Sequence, residues 1–411
     1  MKRKLNILSG DTALWVIFFL LSGISLIAVY STIGLSANTT MRSTPMHIFF
    51  RHMCMVLITY AVIIAMAHIN YRRFSRPSLW LYGISIILLL LVIVLDDERR
   101  WLDLPYLPRF QPSEIAKVVL LVFTARNIAR SRDRLDEPTT LYILLIPAVI
   151  ITVLVAPSNL STGLLIFFSC YLLLYFGGIN RQVWWRGFGI MMALVAFAFV
   201  LFYFVGDRID LFRTSTWGHR LQSWLHPDPS QLTQENMARM AVARGGLFFH
   251  HGIGTTIHGR LMTQAHNDFI FAIIVEEAGS LVGAFIFALY AWFYFRCIRI
   301  ATRCQVLFGS LCVAGIGTMI FLQAVIHMCV ALGVMPVTGQ TLPFISYGGT
   351  AYIFMGVGIG VIQSVAADTK RQQRLAAVGN NPNEPTPDSQ SADATDAQTI
   401  KQSNTQTVKQ S

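Results

Sequence analysis

The chain has 411 residues, of which 54% are hydrophobic and only 13% charged, and its mean hydropathy is +0.54. Soluble domains carry about 25% charged residues, so a compact soluble fold is excluded, as are disorder, collagen, coiled coil and a small disulfide scaffold for the whole. What remains is an all-α polytopic membrane protein with lipid as its main solvent.

In chain order, Lys2, Arg3 and Lys4 precede the first apolar run. That run is too long for a signal-peptide core, so residues 1–13 are expected to be a cytoplasmic N-terminus before an uncleaved span. Apolar runs of bilayer length cover 14–35, 47–69, 78–95, 113–129, 140–156, 163–178, 186–205, 268–295, 306–334 and 347–366, which predicts ten transmembrane helices. With the N-terminus inside, the inner segments hold Arg72/Arg73/Arg76, Arg126/Arg130/Arg132/Arg134, Arg181/Arg186, Arg296/Arg299/Arg303 and Lys370/Arg371/Arg374. Outer loops 157–162 and 335–346 hold no Lys or Arg. The asymmetry puts both ends in the cytoplasm. It also explains the net charge of +11 through attraction to anionic lipid, with no need for nucleic acid.

Residues 206–267 form a large periplasmic loop within a membrane domain spanning 14–366. Residues 367–411 are rich in Asn, Gln, Ser, Thr, Asp and Pro and read as a disordered cytoplasmic tail. The six cysteines lie in or beside apolar runs with no C-x-x-C spacing, so neither a disulfide framework nor a metal site is expected. The outer loop has six histidines without zinc-type spacing. No phosphate-binding glycine loop with Lys occurs, so no ATP motor is indicated.

Ionisable groups in spanning helices are costly and mark functional sites. Glu114 and Lys117 follow Gln111-Pro112-Ser113 and share one helix face, either as a structural ion pair or as the lining of a polar cavity. Asp268, in His266-Asn267-Asp268-Phe269, stands where the outer loop enters a helix, as an N-cap or as a general base. Glu276 and Glu277 lie about two turns deeper and need partners or a cavity. Pro343-Phe344-Ile345-Ser346-Tyr347-Gly348-Gly349 is irregular backbone before the last span. Such chain is tolerated at membrane depth only when it is buried in protein or lines a cavity. The loop arginines Arg208, Arg213, Arg220, Arg239, Arg244 and Arg260 suit phosphate oxygens.

These motifs, with Arg100-Trp101 ahead of the first, resemble the SEDS family (shape, elongation, division and sporulation proteins) over about residues 12–366. The resemblance implies a peptidoglycan glycosyltransferase that polymerises lipid II beside a class B penicillin-binding protein. It implies Asp268 as the catalytic residue and Glu114 with Lys117 as a cavity pair. Arg220 and Ser346 join these as expected substrate-binding residues. A divalent cation could assist, although no metal ligand is assigned.

The chain departs from the family pattern at Thr263-Gln264, where Pro-Glu is usual. It departs again at Pro157-Ser158-Asn159-Leu160-Ser161-Thr162, where Asn159 replaces an Asp. Residues 336–343 and 159–162 look more like the division-type, FtsW-like branch of the Bacteroidota than the elongation-type RodA branch. That implies divisome partners and a septal location in the inner membrane. The rival readings are a lipid II flippase and a non-catalytic division scaffold.

Overall fold

The computed structural model describes residues 8–36, 45–96, 101–103, 109–135, 137–205, 214–226, 233–248, 252, 254, 256–257, 267–347 and 349–380. Arg100, Arg208, Arg213, Arg260, His250, His251, residues 263–266 and Gly348 lie outside the described residues, as does the tail beyond 380.

The chain folds as α1 (Thr12–Ser36), α2 (Pro45–His68), α3 (Ser78–Leu95), α4 (Pro112–Arg130), α5 (Pro138–Gly177), α6 (Arg181–Val205), α7 (Thr214–Leu225), α8 (Gln234–Arg244), α9 (Ile270–Ala278), α10 (Ser280–Arg303), α11 (Leu307–Ala331) and α12 (Thr350–Asn380). Among the described residues, α1, α2, α3, α5, α10, α11 and α12 are long and apolar enough to cross a membrane. α5 supplies two passes. Asn159 breaks it with φ −160° and ψ 96°, and Thr152 Oγ1 then donates to the Gly163 carbonyl at 3.2 Å. A straight helix would hold those residues about 16 Å apart, so the two limbs must fold back on each other. The expected loop 157–162 is therefore a break at one residue.

α4 falls outside that apolar set because Glu114, Lys117 and Arg126 interrupt its hydrophobic run. Its first two turns are buried in protein instead of facing lipid. Pro112 opens it at a position where a missing N–H costs nothing.

The single span expected over 268–295 is corrected. The chain forms short α9, then breaks at Gly279, and α10 makes the crossing. Gly279 has φ 89° and ψ 164°, and a β-carbon there would come within 2.9 Å of the Leu247 carbonyl oxygen. Only glycine fits this corner. The last helix also runs to Asn380, past the expected boundary at 366.

One end of the bundle is closed by contacts between the two ends of the described chain. Asp11 caps α1 by accepting from Ala13 N and Leu14 N, pairs with Arg296 at the end of α10, and is held by Gln363 of α12. Lys370 donates to the Gly10 carbonyl at 2.7 Å, and Arg72 lies 3.6 Å from Asp368. Arg72, Arg296 and Lys370, from three of the basic segments, thus meet the N-terminal end of α1 and the C-terminal part of α12 at one end of the bundle. The functional candidates lie at the other.

Candidate active site

Between α11 and α12 the chain runs without regular structure from Val337 to Ile345, and each carbonyl in this strap is capped. Arg220 Nη1 of α7 donates to Val337 at 3.3 Å. Asn159 Nδ2 of α5 donates to Thr338 at 3.1 Å and Gly339 at 3.3 Å. His327 Nδ1 and Gln323 Nε2, one turn apart on α11, hold Gln340 and Thr341, each at 2.9 Å. The Leu342 carbonyl takes Ile345 N and Ser346 N. The hydroxyls of Tyr290 on α10, Tyr352 on α12 and Ser25 on α1 donate to Pro343, Phe344 and Ile345 in turn. Six helices therefore replace the water this backbone would otherwise need. They also hold Phe344 at φ 61°, the positive-φ non-glycine residue of the described chain, a conformation costing about 1–3 kcal/mol.

The strap joins the predicted sites. Lys117 Nζ lies 2.7 Å from Glu114 Oε1, with both side chains almost fully buried. The same ammonium donates to Gln323 Oε1 at 3.2 Å, and Gln323 passes the connection to Thr341. Glu114 sits in the first turn of α4, where the helix dipole favours an anion. Its Oε2 is buried and has no hydrogen-bond partner among the described residues.

Asp268 is partly exposed, just ahead of α9. A β-carbon placed on Gly339 would lie 3.8 Å from both Asp268 Oδ2 and Asn159 Nδ2. The candidate base thus stands against the strap, beside an amide from α5. Ser346 is buried, and its hydroxyl donates to the Asn267 carbonyl and accepts from Leu342 N, each at 2.8 Å. It therefore braces the residue before Asp268, and its hydroxyl is occupied by backbone where a substrate contact was expected.

Arg220 is half-buried, stacks over the Trp217 ring at 5.4 Å, and acts on Glu235 together with Arg239. Burial pushes the Glu235 carboxyl above its usual range, against the pull of these two cations. Arg220 is also the charged residue of an apolar cleft of about 660 Å³ between both limbs of α5, α6, α7 and α11. Val153, Leu164 and Leu194 in its walls are exposed on the outside of the bundle. Thr338 and Leu160 bring the cleft to the strap.

The two deep glutamates find partners. Glu276 takes Arg244 of α8 at 3.1 Å, the Thr256 hydroxyl and Ile257 N. Glu277 takes the Ser31 hydroxyl of α1 and Gly254 N. They latch the outer loop onto α9. Sequence reasoning named Asn159 only as a departure from the family pattern, with no role assigned, and missed Gln323, His327, Tyr290 and Tyr352 as parts of the site. The Pro-Ser-Asn cluster was a turn signal for Asn159, while the others are ordinary helix residues. Among the described residues, no three His, Cys, Asp or Glu gather as a possible metal-ligand group.

Seven helices long and apolar enough to cross a membrane, with a capped strap, a buried ion pair, a carboxylate at a helix entry and an apolar cleft ending in arginine, define a multi-pass membrane protein among the described residues. The chain belongs to the FtsW/RodA/SpoVE family of cell cycle proteins, whose pattern it matches over residues 11–371. It is 31% identical to the peptidoglycan glycosyltransferase MrdB of Escherichia coli K12 over 324 residues, covering 75% of this chain and 83% of that protein. It is 28% identical to the probable peptidoglycan glycosyltransferase FtsW of Nitrosomonas europaea over 389 residues, covering 90% and 95%. Its fold is similar to that of a chain in a peptidoglycan synthase complex that coordinates polymerization and crosslinking, with TM-score 0.69, 25% identity and coverage of 88% and 99%. It is also similar to the rod shape determining protein RodA of Thermus thermophilus, with TM-score 0.61, 23% identity and coverage of 90% and 99%.

Proposed function

We infer that this protein is a peptidoglycan glycosyltransferase that polymerises lipid II at the outer face of the bacterial cytoplasmic membrane. The observation that carries the reading is the meeting of Asp268, the strap and the Arg220 cleft at one end of the bundle. A lipid-linked sugar diphosphate is amphiphilic, and this arrangement has a place for each part. The polyprenyl tail lies in the apolar cleft and the diphosphate meets Arg220 at its end. The sugars then reach Asp268.

In the reaction, the 4-hydroxyl of the GlcNAc of one lipid II attacks C1 of the growing glycan on its polyprenyl diphosphate. Attack comes from the face opposite the diphosphate, so α becomes β. Asp268 accepts the hydroxyl proton, the new C1–O bond forms as the bond to diphosphate breaks, and the electron pair leaves on the diphosphate. Arg220 offsets that charge, and Lys117, fixed by Glu114 and Gln323, adds positive potential from α4.

A class B penicillin-binding protein is the partner that fits, since the similar synthase complex couples polymerization to crosslinking. We assign the protein to the septum with both termini cytoplasmic, on the FtsW-like motifs and the basic inner segments. A flippase would need an open polar path to the inner face, where Asp11, Arg296, Gln363 and Lys370 instead lock the helices together. The deciding experiment gives purified protein and its transpeptidase partner labelled lipid II and looks for glycan strands. Absence of polymer with a partner-bound, folded preparation would end the assignment.

A further inference from the structure

The charged groups of α7 and α8 gather beside the apolar cleft. Arg239 lies across Gly333, just after α11, where a β-carbon would overlap its guanidinium and where φ is +75°. Trp224 Nε1 of α7 donates to the Gly333 carbonyl at 3.0 Å. Four residues on, Arg220 holds the Val337 carbonyl. Guanidiniums from two helices thus sit at either end of residues 333–337, and Met335 and Pro336 between them form part of the cleft wall. Glu235, one turn before Arg239 on α8, is the carboxylate on which both cations act. All three side chains are partly exposed, so an anion arriving from outside can reach them. Other charged groups on the helices packed against α8 are engaged elsewhere. On α9, Glu276 pairs with Arg244 and Glu277 takes Ser31 and Gly254 N, and on α11 His327 is turned to the Gln340 carbonyl.

We propose that Glu235 is a built-in counter-ion, which the diphosphate of the lipid-linked substrate displaces from Arg220 and Arg239. The proposal rests on the reading of Arg220 as a diphosphate contact, and it adds Arg239 as the second cation of that site. Its physical basis is charge matching. Two guanidiniums balance the two negative charges of a lipid- and sugar-linked diphosphate, but only once the carboxylate no longer competes for them. Burial already disfavours the charged form of Glu235, so an arriving diphosphate drives a proton onto the carboxyl instead of stranding a charge. After transfer the sequence reverses: Glu235 gives up its proton, takes the guanidiniums back, and the spent carrier leaves. Affinity is thereby held below its maximum. Tighter binding of the ground state would lower KM without raising kcat, and it would delay release.

Glu235→Gln keeps the shape and removes the charge. The purified variant is titrated with lipid II, and with inorganic pyrophosphate as a probe without a tail. Affinity is expected to be about 3- to 10-fold tighter than in the wild type, the scale of two partly exposed ion pairs, with kcat unchanged or lower. In the wild type, affinity for lipid II should rise as pH falls from neutral and Glu235 takes up its proton. In the Gln variant that rise should be absent. A carboxylate that only braces α8 predicts the opposite, a lower melting temperature with equal or weaker binding. Unchanged or weaker lipid II affinity in the folded Gln variant therefore overturns the proposal. Should that variant fail to fold, the pH series on the wild type decides, and affinity that does not rise on acidification overturns it as well. Arg220→Ala is titrated in parallel. If it binds lipid II normally, the diphosphate assignment fails; if it binds weakly while Glu235→Gln is no tighter, only the counter-ion role fails.

Discussion

The hydroxyl of Ser346 donates to the carbonyl of Asn267 across 2.8 Å. That bond ties the end of the strap to the residue before Asp268, although 79 positions separate the two in sequence. Asp268 is thereby braced through its neighbour, with Gly339 of the strap close by: a β-carbon there would stand 3.8 Å from Asp268 Oδ2.

The Asp268 assignment predicts that Asp268→Asn, nearly isosteric, lowers glycan synthesis by about 10²–10⁴-fold, the usual worth of a general base. Membrane insertion and binding to the transpeptidase should be unchanged. Polymer yield from labelled lipid II, with contaminating polymerases excluded, checks this, and near-normal synthesis refutes the mechanism.

Breaking the α4 pair should be costly in both directions. Glu114→Gln leaves the Lys117 ammonium in a nearly dry site with Gln323 alone, and Lys117→Met strands a carboxylate. Losing one partner of a buried pair costs about 3–5 kcal/mol, so each single variant should show a lower melting temperature and strongly reduced polymerisation. The double variant should recover melting temperature without recovering activity. A fully active double variant would make the pair only structural.

Arg220→Ala removes a charge-assisted contact to the diphosphate and the cap on Val337. Such contacts are worth about 1.5–3 kcal/mol, so lipid II binding should weaken by roughly 10- to 100-fold. Arg220→Lys should recover only part of this, because the fork geometry is lost. Titration with lipid II of the purified variants reads the effect, and unchanged affinity in the Ala variant removes Arg220 from the diphosphate site.

The strap hydroxyls can be tested one at a time. Tyr290→Phe keeps the ring and leaves the Pro343 carbonyl unpaired in a buried site. An unsatisfied buried acceptor costs about 1–3 kcal/mol, visible as a lower melting temperature with the fold intact. Gly279→Ala is expected to be worse, because its β-carbon meets the backbone of residues 247–248 at a positive φ. Equal stability of the Gly279 variant and the wild type would show that the corner relaxes.

Much of this was legible in the sequence because lipid imposes long apolar runs, and such runs read directly as helices. The Glu114–Lys117 pair was legible because a separation of three residues places both on one helix face. Asp268 was legible as a carboxylate interrupting an apolar entry. The corner at Gly279 was not, since one glycine inside an apolar stretch has no distinctive local pattern, although Glu276 and Glu277 hinted that this stretch was not facing lipid. The strap's donors were illegible for a different reason. Tyr290, Gln323 and His327 are unremarkable on their own helices, and their roles exist only across contacts of 13 to 53 residues. Ser346 stood out by motif, but whether its hydroxyl faced substrate or backbone depended on the fold.

The strap also orders events during synthesis. Ser25 is translated 320 residues before the carbonyl it caps, and Asn159 about 180 before its own. Chains grow from the N-terminus, so a ribosome that has already released Glu114, Lys117 and Asp268 has not yet built a polymerase. The early helices enter the membrane with hydroxyls and amides still waiting for partners, and the emergence of residues 337–346 supplies them together. A growing chain that still lacks residues 337–346 thus holds its candidate base and its ion pair without the segment that brings them together.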